Sequence, residues 1–117
     1  MDLDNAINTH AEWKVKFRLA IANQETLDAD SIARDNNCDM GKWIYGEAKS
    51  KYGTLPSYIE LVSKHAHFHK VSGHIAGLIN DKKYDEATAL IAAETDYADA
   101  SKGCSTAILQ LKRETGL

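Results

Sequence analysis

The sequence predicts an all-α fold, an antiparallel four-helix bundle with one short helix, in which residues 1–117 form a single domain. Three observations favour this class. Apolar residues recur every three to four positions over long stretches, which is typical of amphipathic helices. The chain has only one proline, and turn residues cluster at a few places that separate three long helical segments and one short one. No internal repeat, low-complexity tract or linker suggests a second domain.

The first helix is predicted from about Leu3 to about Leu27. Its apolar stripe follows helical spacing and consists of Leu3, Ile7, His10, Lys14, Phe17 and Ile21. Lys14 is the one interruption, and a lysine stem can cover apolar surface while its charge stays in water. His10 is therefore expected to point towards the same interior as Ile7 and Phe17.

The segment Asp28–Asn37 is polar and predicts a loop with a helical turn over Ser31–Arg34. A second, short helix follows, carries Cys38, and is expected to stop near Gly53. Gly41 lies inside this helix and costs about 1 kcal/mol of helix propensity relative to alanine. We therefore expect a packing reason for it, namely the close approach of another helix or of a metal shell.

The third helix is predicted to begin at Pro56, where the missing N–H does no harm, and to end at about Asn80. The last helix is predicted from Tyr84 to about Glu114. Its expected inward seam is rich in small residues, and Cys104 and the acidic Glu94 both fall on it. Short turns connect all four helices.

The segment from Lys64 to His69 contains three of the five histidines of the chain. His65 and His69 are four residues apart and lie on one helix face. That face has a nearly heptad apolar rhythm formed by Tyr58, Val62, His65, His69, Ala76 and Ile79. His67 and His74 project from other faces. Two buried imidazoles need a partner, and one metal ion satisfies both.

Four candidate metal ligands from three helices are predicted to point inward: His10, Cys38, His65 and His69. Three imidazoles and one thiolate form a tetrahedral shell that suits Zn2+, whereas magnesium and calcium prefer oxygen ligands. A di-iron bundle would need Glu-x-x-His motifs, and Glu94 alone is too few. The alternative is that His10 is a hydrogen-bonded core histidine and Cys38 a small buried apolar residue.

Composition excludes several classes of function. The net charge of -3 leaves no basic patch for nucleic acid and no polybasic membrane anchor. No apolar run approaches the roughly 20 residues that cross a bilayer. The N-terminal sequence Met1–Asp4 lacks a signal-peptide pattern. Two cysteines do not form a disulfide framework, so reduced thiols and a cytoplasmic location are expected.

Three motifs, in order, resemble the chemoreceptor zinc-binding (CZB) family. The family pattern is His-x-x-Trp, Cys-x-x-Gly-x-Trp and His-x-x-x-His, with an aromatic or apolar residue before the final histidine. It is met at residues 10–13, 38–43 and 65–69. The resemblance implies one zinc ion bound by His10, Cys38, His65 and His69 in a four-helix bundle that dimerises. Trp13 and Trp43 would then be packing residues near the site. Apart from the resemblance, Gly41 is a candidate for close packing, and His67 is expected to be exposed, to support the ligands from outside, or to replace one of them.

The function expected from this resemblance is that of a zinc-binding sensory or regulatory domain in bacterial signalling, without enzymatic activity. The family is usually fused to a chemoreceptor or a diguanylate cyclase, so chemotaxis or cyclic di-GMP signalling is the expected context, with a fused output domain or a separate signalling partner. Oxidation of Cys38 would weaken its bond to zinc. Two alternatives stay open: a zinc that only staples a dimerisation module, and a zinc hydrolase. The hydrolase is disfavoured because four ligands leave no open position for water.

Overall fold

The computed structural model describes residues 1–117 and contains helices and turns but no β-strand. The predicted all-α class is therefore confirmed. In chain order the α-helices are α1 (Leu3–Ala11), α2 (Trp13–Asn23), α3 (Ala29–Ala33), α4 (Asp39–Trp43), α5 (Lys49–Tyr52), α6 (Pro56–Asn80), α7 (Tyr84–Leu90) and α8 (Asp96–Thr115). A π-helical segment, Ile44–Ala48, joins α4 to α5.

Helix α6 is the central element, since it packs against α2, α3, α7 and α8. Its start agrees with the sequence: Leu55 has an extended backbone and Pro56 opens the first turn. Twelve of its 25 residues are buried, and they include both His65 and His69. The helix that supplies two candidate ligands is thus also the one held most firmly by the core.

Contacts between distant residues show how the segments run. Lys112 and Asp4 form an ion pair of 2.7 Å, and the rings of Phe17 and Tyr97 lie 5.9 Å apart, so the pair α1–α2 runs opposite to α8. Residues 27–44 run opposite to α6. Leu27 bonds to Asn80, near the end of α6, and Tyr58, near its start, bonds to Ile44.

Aromatic side chains link these segments in the interior. The ring of Phe68 on α6 lies 5.8 Å from that of Tyr97 on α8 and 5.3 Å from that of His10 on α1. Tyr97 also contacts Phe17 on α2. Phe17 and Phe68 are fully buried within a cluster of 23 buried apolar residues. One continuous core therefore joins the first, central and last helices.

The first helix differs from its prediction. It is interrupted at Glu12 and ends at Asn23 rather than near Leu27. Gln24 adopts a left-handed conformation with φ 54°, and the polar residues after it leave the helix. His10 nevertheless faces the interior as predicted, with 2% of its surface exposed.

The prediction of a single last helix from Tyr84 to about Glu114 is wrong, because residues 91–95 separate α7 from α8. Glu94 has a left-handed backbone with φ 64°, and the Thr95 hydroxyl accepts a hydrogen bond from the N–H of Ala98. This side-chain cap starts a new helix at Asp96. Glu94 is exposed and does not lie on an inward seam, whereas Cys104 is fully buried.

Candidate metal centre

His10 lies in the last turn of α1, a helix whose start is capped by the Asp2 side chain. Nδ1 of His10 lies 2.7 Å from the carbonyl oxygen of Ala6, one turn earlier. Because a carbonyl only accepts hydrogen bonds, Nδ1 carries the proton and Nε2 keeps a lone pair. That lone pair is the form of imidazole that binds a metal.

Cys38 is the N-cap of α4, and its sulfur accepts a hydrogen bond of 3.3 Å from the N–H of Gly41. A Cβ on Gly41 would stand 1.8 Å from the carbonyl oxygen of Asp35, so glycine is required for the chain before Cys38 to fold back on α4. The predicted packing reason is thus the backbone of residues 35–36, not another helix or the metal shell. Tyr45 donates a hydrogen bond to the Asp35 carboxylate and further fixes this loop.

His65 and His69 project from the buried face of α6 into the space beside Cys38. Nδ1 of His69 lies 2.8 Å from the carbonyl oxygen of Ile32 in α3, so Nε2 of His69 is unprotonated for the same reason as in His10. Close packing of α3 on α6 brings this carbonyl into place. Gly73 allows it, because a Cβ there would lie 2.5 Å from that of Ala33.

The candidate ligand atoms converge on one point. Nε2 of His65 is 3.1 Å from Nε2 of His69, and the Cys38 sulfur is 3.3 Å and 3.5 Å from these two nitrogens. A tetrahedral zinc shell places neighbouring nitrogens about 3.3 Å apart and a nitrogen and a sulfur about 3.6 Å apart, given the usual bond lengths. Together with His10, the four ligand atoms all lie within 4.8 Å of one another.

Burial keeps the three imidazoles neutral. It lowers the pKa of His65 to about 3, with the neighbouring His69 and His10 adding to the effect. Burial also lowers the pKa of His10 and of His69, although a carbonyl hydrogen bond opposes the change in each. Burial raises the pKa of the Cys38 thiol, against the effect of the Gly41 N–H. A bound metal must therefore displace one proton, from Cys38.

One nitrogen in the centre has no protein partner. Nδ1 of His65 is buried and makes no hydrogen bond, although metal-bound histidines usually donate this N–H to a carbonyl or a carboxylate. His10 and His69 follow that rule, with Ala6 and Ile32 as acceptors. His65 is thus held only by packing and by contacts of its Nε2, which face the other candidate ligands.

The family comparison agrees with this geometry. The family model of the chemoreceptor zinc-binding domain matches residues 10–76, more than half of the 117 residues. The chain belongs to this family. The match begins at His10 and includes Cys38, His65 and His69, so all four converging side chains fall within the CZB domain. No curated protein and no solved structure matches the chain.

Both the donor atoms of the site and the family match fit a zinc ion in this CZB domain. The donor set of three neutral nitrogens and one sulfur is the kind that zinc binds, and no carboxylate belongs to the converging group. The predicted cofactor, Zn2+, is confirmed as the metal that the domain is positioned to hold. No helix of the structure is both long and apolar enough to cross a bilayer.

The remaining residues that the sequence singled out lie around the centre or away from it. Trp13 and Trp43 are half-buried against the core, and the Trp13 ring lies 5.6 Å from that of Phe17. His67 is exposed on another face of α6 and makes no hydrogen bond to a ligand. It is not one of the four converging side chains.

Sequence reasoning missed the groups that orient the histidines. The carbonyls of Ala6 and Ile32 select the tautomers of His10 and His69, but a backbone acceptor has no residue type and gives no sequence signal. Phe68 packs edge-on against both rings, at 5.3 Å and 5.7 Å. The motif predicts an aromatic or apolar residue just before its last histidine, but it does not predict these ring contacts.

Proposed function

We propose that this CZB domain is a zinc-binding sensory or regulatory domain of bacterial signalling, with His10, Cys38, His65 and His69 as the four zinc ligands. The observation that carries the proposal is the triangle formed by the Cys38 sulfur and the Nε2 atoms of His65 and His69, with sides of 3.1–3.5 Å. The two imidazole Nε2 atoms can share at most one hydrogen bond. A single cation satisfies all three groups.

The ligands come from three separate segments, so zinc binding would change how these segments pack on one another. His10 ends α1, Cys38 caps α4, and His65 and His69 lie on α6. Gain or loss of the ion would therefore tighten or loosen the packing of α1 and of the Cys38 loop on α6. We propose that this change is passed on through the antiparallel four-helix arrangement or through the geometry of a homodimer to a fused output domain or a signalling partner.

We also propose that the domain responds to oxidants through Cys38. Its side chain is partly accessible, whereas Cys104 is fully buried. The Cys38 thiolate, which zinc would keep deprotonated, would attack a peroxide oxygen: an S–O bond would form, the O–O bond would break, and hydroxide would leave and take up a proton from solvent. The sulfenic acid formed would bind zinc less well. Peptide mass spectrometry after peroxide treatment should find Cys38 modified; modification of Cys104 alone would refute the idea.

The proposal places residues 1–117 in one cytoplasmic domain without enzymatic activity and without binding to nucleic acid or membrane. The net charge of -3 supports the absence of nucleic-acid and anionic-lipid partners. Four protein ligands would fill the tetrahedral shell and leave no position for a reactive water.

A second candidate function is a zinc-stapled dimerisation module that does not sense. It is favoured by the burial of His10, His65 and His69, each at most 4% exposed, which is typical of a closed structural site. Hydrogen exchange and size-exclusion chromatography with zinc and with a chelator separate the two. A regulatory domain stays folded without zinc and changes exchange in α1 and in residues 35–45. A stapled module unfolds throughout when zinc is removed.

A further inference from the structure

A cavity of about 310 Å³ lies between α6 and the junction of α7 with α8, away from the metal centre. Its size is at the lower end of the range of small-molecule sites, which is about 300–1,000 Å³. Its lining combines apolar and charged groups: His67, Lys70, Val71, His74, Ile75, Leu90, Asp96 and Tyr97. The cavity contains both histidines of α6 that the metal centre does not use.

Two opposite charges face this cavity from different helices. Lys70 lies on α6, and Asp96 lies in the first turn of α8. Both are exposed, and neither takes part in an ion pair of 4.0 Å or less or in a side-chain hydrogen bond, although other charges of the chain do pair. The rim therefore offers one free cation and one free anion. One charge of each sign at the rim matches a ligand that carries both charges.

The other walls are apolar. These walls are formed by Val71, Ile75, Leu90 and Tyr97, of which Ile75 and Tyr97 are at least 97% buried. A pocket with an apolar wall and a few convergent polar groups is the usual form of a small-molecule site.

We propose that this cavity binds a small zwitterion with an apolar body, the chemistry of an apolar α-amino acid. The carboxylate of the ligand pairs with Lys70, its ammonium group pairs with Asp96, and its side chain lies against Val71, Ile75 and Leu90. The histidines do not make this a second metal site, because the ligand atoms of His67, His74 and Asp96 do not form a group that could hold an ion.

The test uses the zinc-loaded full chain and L-leucine as the probe, followed by amide chemical shifts in NMR. Saturable shifts are expected at residues 70–75 and 90–97. Two analogues each lack one charge: leucinamide has no carboxylate, and N-acetyl-leucine has no ammonium. Each should bind about two- to fivefold more weakly, the range of one solvent-exposed ion pair.

Two variants assign the charges, and both sites are exposed, so folding should be retained. Lys70→Gln should weaken leucine binding to the same degree and leave leucinamide binding unchanged. Asp96→Asn should weaken leucine binding and leave N-acetyl-leucine unchanged. Matched controls at exposed residues outside the cavity, Lys49→Gln and Asp85→Asn, should change nothing.

Three results would overturn the proposal: no saturable shift with leucine, equal binding of leucine and both analogues, or equal effects of the cavity variants and their controls. Zinc binding is measured separately in the same samples. A negative leucine titration therefore does not count against the zinc proposal. Failure to bind zinc, in turn, would not account for a negative leucine titration.

Discussion

The two faces of α6 use the same amino acid for different ends. His65 and His69 lie on the inner face and are 0% and 4% exposed, whereas His67 and His74 lie on the outer face and are exposed. The inner pair meets Cys38 and His10. The outer pair lines an open cavity with Lys70 and Asp96.

Position on the helix, rather than residue type, decides what a histidine can do. Burial lowers the pKa of His65 and of His69, so each presents a neutral nitrogen to the centre. A shift of two residues along α6 would turn either side chain by about 200° and place it in solvent.

Removal of zinc should give the largest effect. A ligand that binds only the folded state, at a free concentration about 1,000 times its Kd, stabilises the fold by about 4 kcal/mol. Calorimetry with zinc and with a chelator should therefore show a fall in Tm of more than about 10 °C on chelation. His67→Ala should show the same fall. An identical Tm with and without chelator would contradict the account.

Removal of one inner ligand should come next. His65→Ala leaves three candidate ligands, so zinc affinity should fall by more than the 10- to 100-fold that is typical for loss of an outer hydrogen-bond partner. The outer-face variant His67→Ala is the matched control and should keep the affinity of the wild type. Competition titration with a zinc chelator dye measures both. Equal affinities in the two variants would remove the distinction between the faces.

Much of this contrast was readable from the sequence. The four-residue spacing of His65 and His69 places them on one face, and the apolar rhythm of that face predicts its burial. Both bounds of α6 follow from local signals, Pro56 at the start and the polar residues after Asn80 at the end. The inward direction of His10 follows from the stripe that it shares with Phe17.

Other features depend on backbone conformation that periodicity does not report. The apolar spacing continues past Glu94, but a left-handed backbone there and the Thr95 cap divide α7 from α8. A π-helical segment, Ile44–Ala48, interrupts the α-helical pattern between α4 and α5, and the Ile44 carbonyl accepts a hydrogen bond from the distant Tyr58 hydroxyl. Such long-range partners are fixed only once the helices have packed.

Alanine substitutions at two glycines compare the backbone of the Cys38 loop with that of α6. Gly41→Ala would force a Cβ against the Asp35 carbonyl, so the loop must shift; we expect a loss of about 2–3 kcal/mol in unfolding free energy and weaker zinc binding. Gly77→Ala in α6 meets no atom within 4 Å and should stabilise the fold by about 0.5–1 kcal/mol. Urea denaturation of both variants measures this. A stabilising Gly41→Ala would contradict the structure.

The smallest expected effect, per pH unit, is the loss of unfolding free energy of the zinc-free protein in acid. Burial lowers the pKa of His65 from 6.5 to about 3, so below pH 6.5 the unfolded state takes up a proton that the folded state does not. Stability is therefore full above pH 6.5 and should fall by about 1.4 kcal/mol per pH unit as the pH drops towards 3. His10 and His69 act in the same direction.

Urea denaturation of the chelated protein at several pH values below neutrality measures that slope. His67→Gln, on the outer face, should leave it unchanged. Stability that stays flat or rises between about pH 6.5 and 5 would show that the inner histidines are not held neutral by burial.

X-ray absorption at the zinc edge tests the four-ligand zinc site, because it identifies the atoms bound to the ion. The account predicts one zinc per chain with three nitrogen neighbours at about 2.0 Å and one sulfur neighbour at about 2.3 Å, and loss of the sulfur in Cys38→Ser. A zinc shell without sulfur in the wild-type protein, or one unchanged by Cys38→Ser, would contradict it.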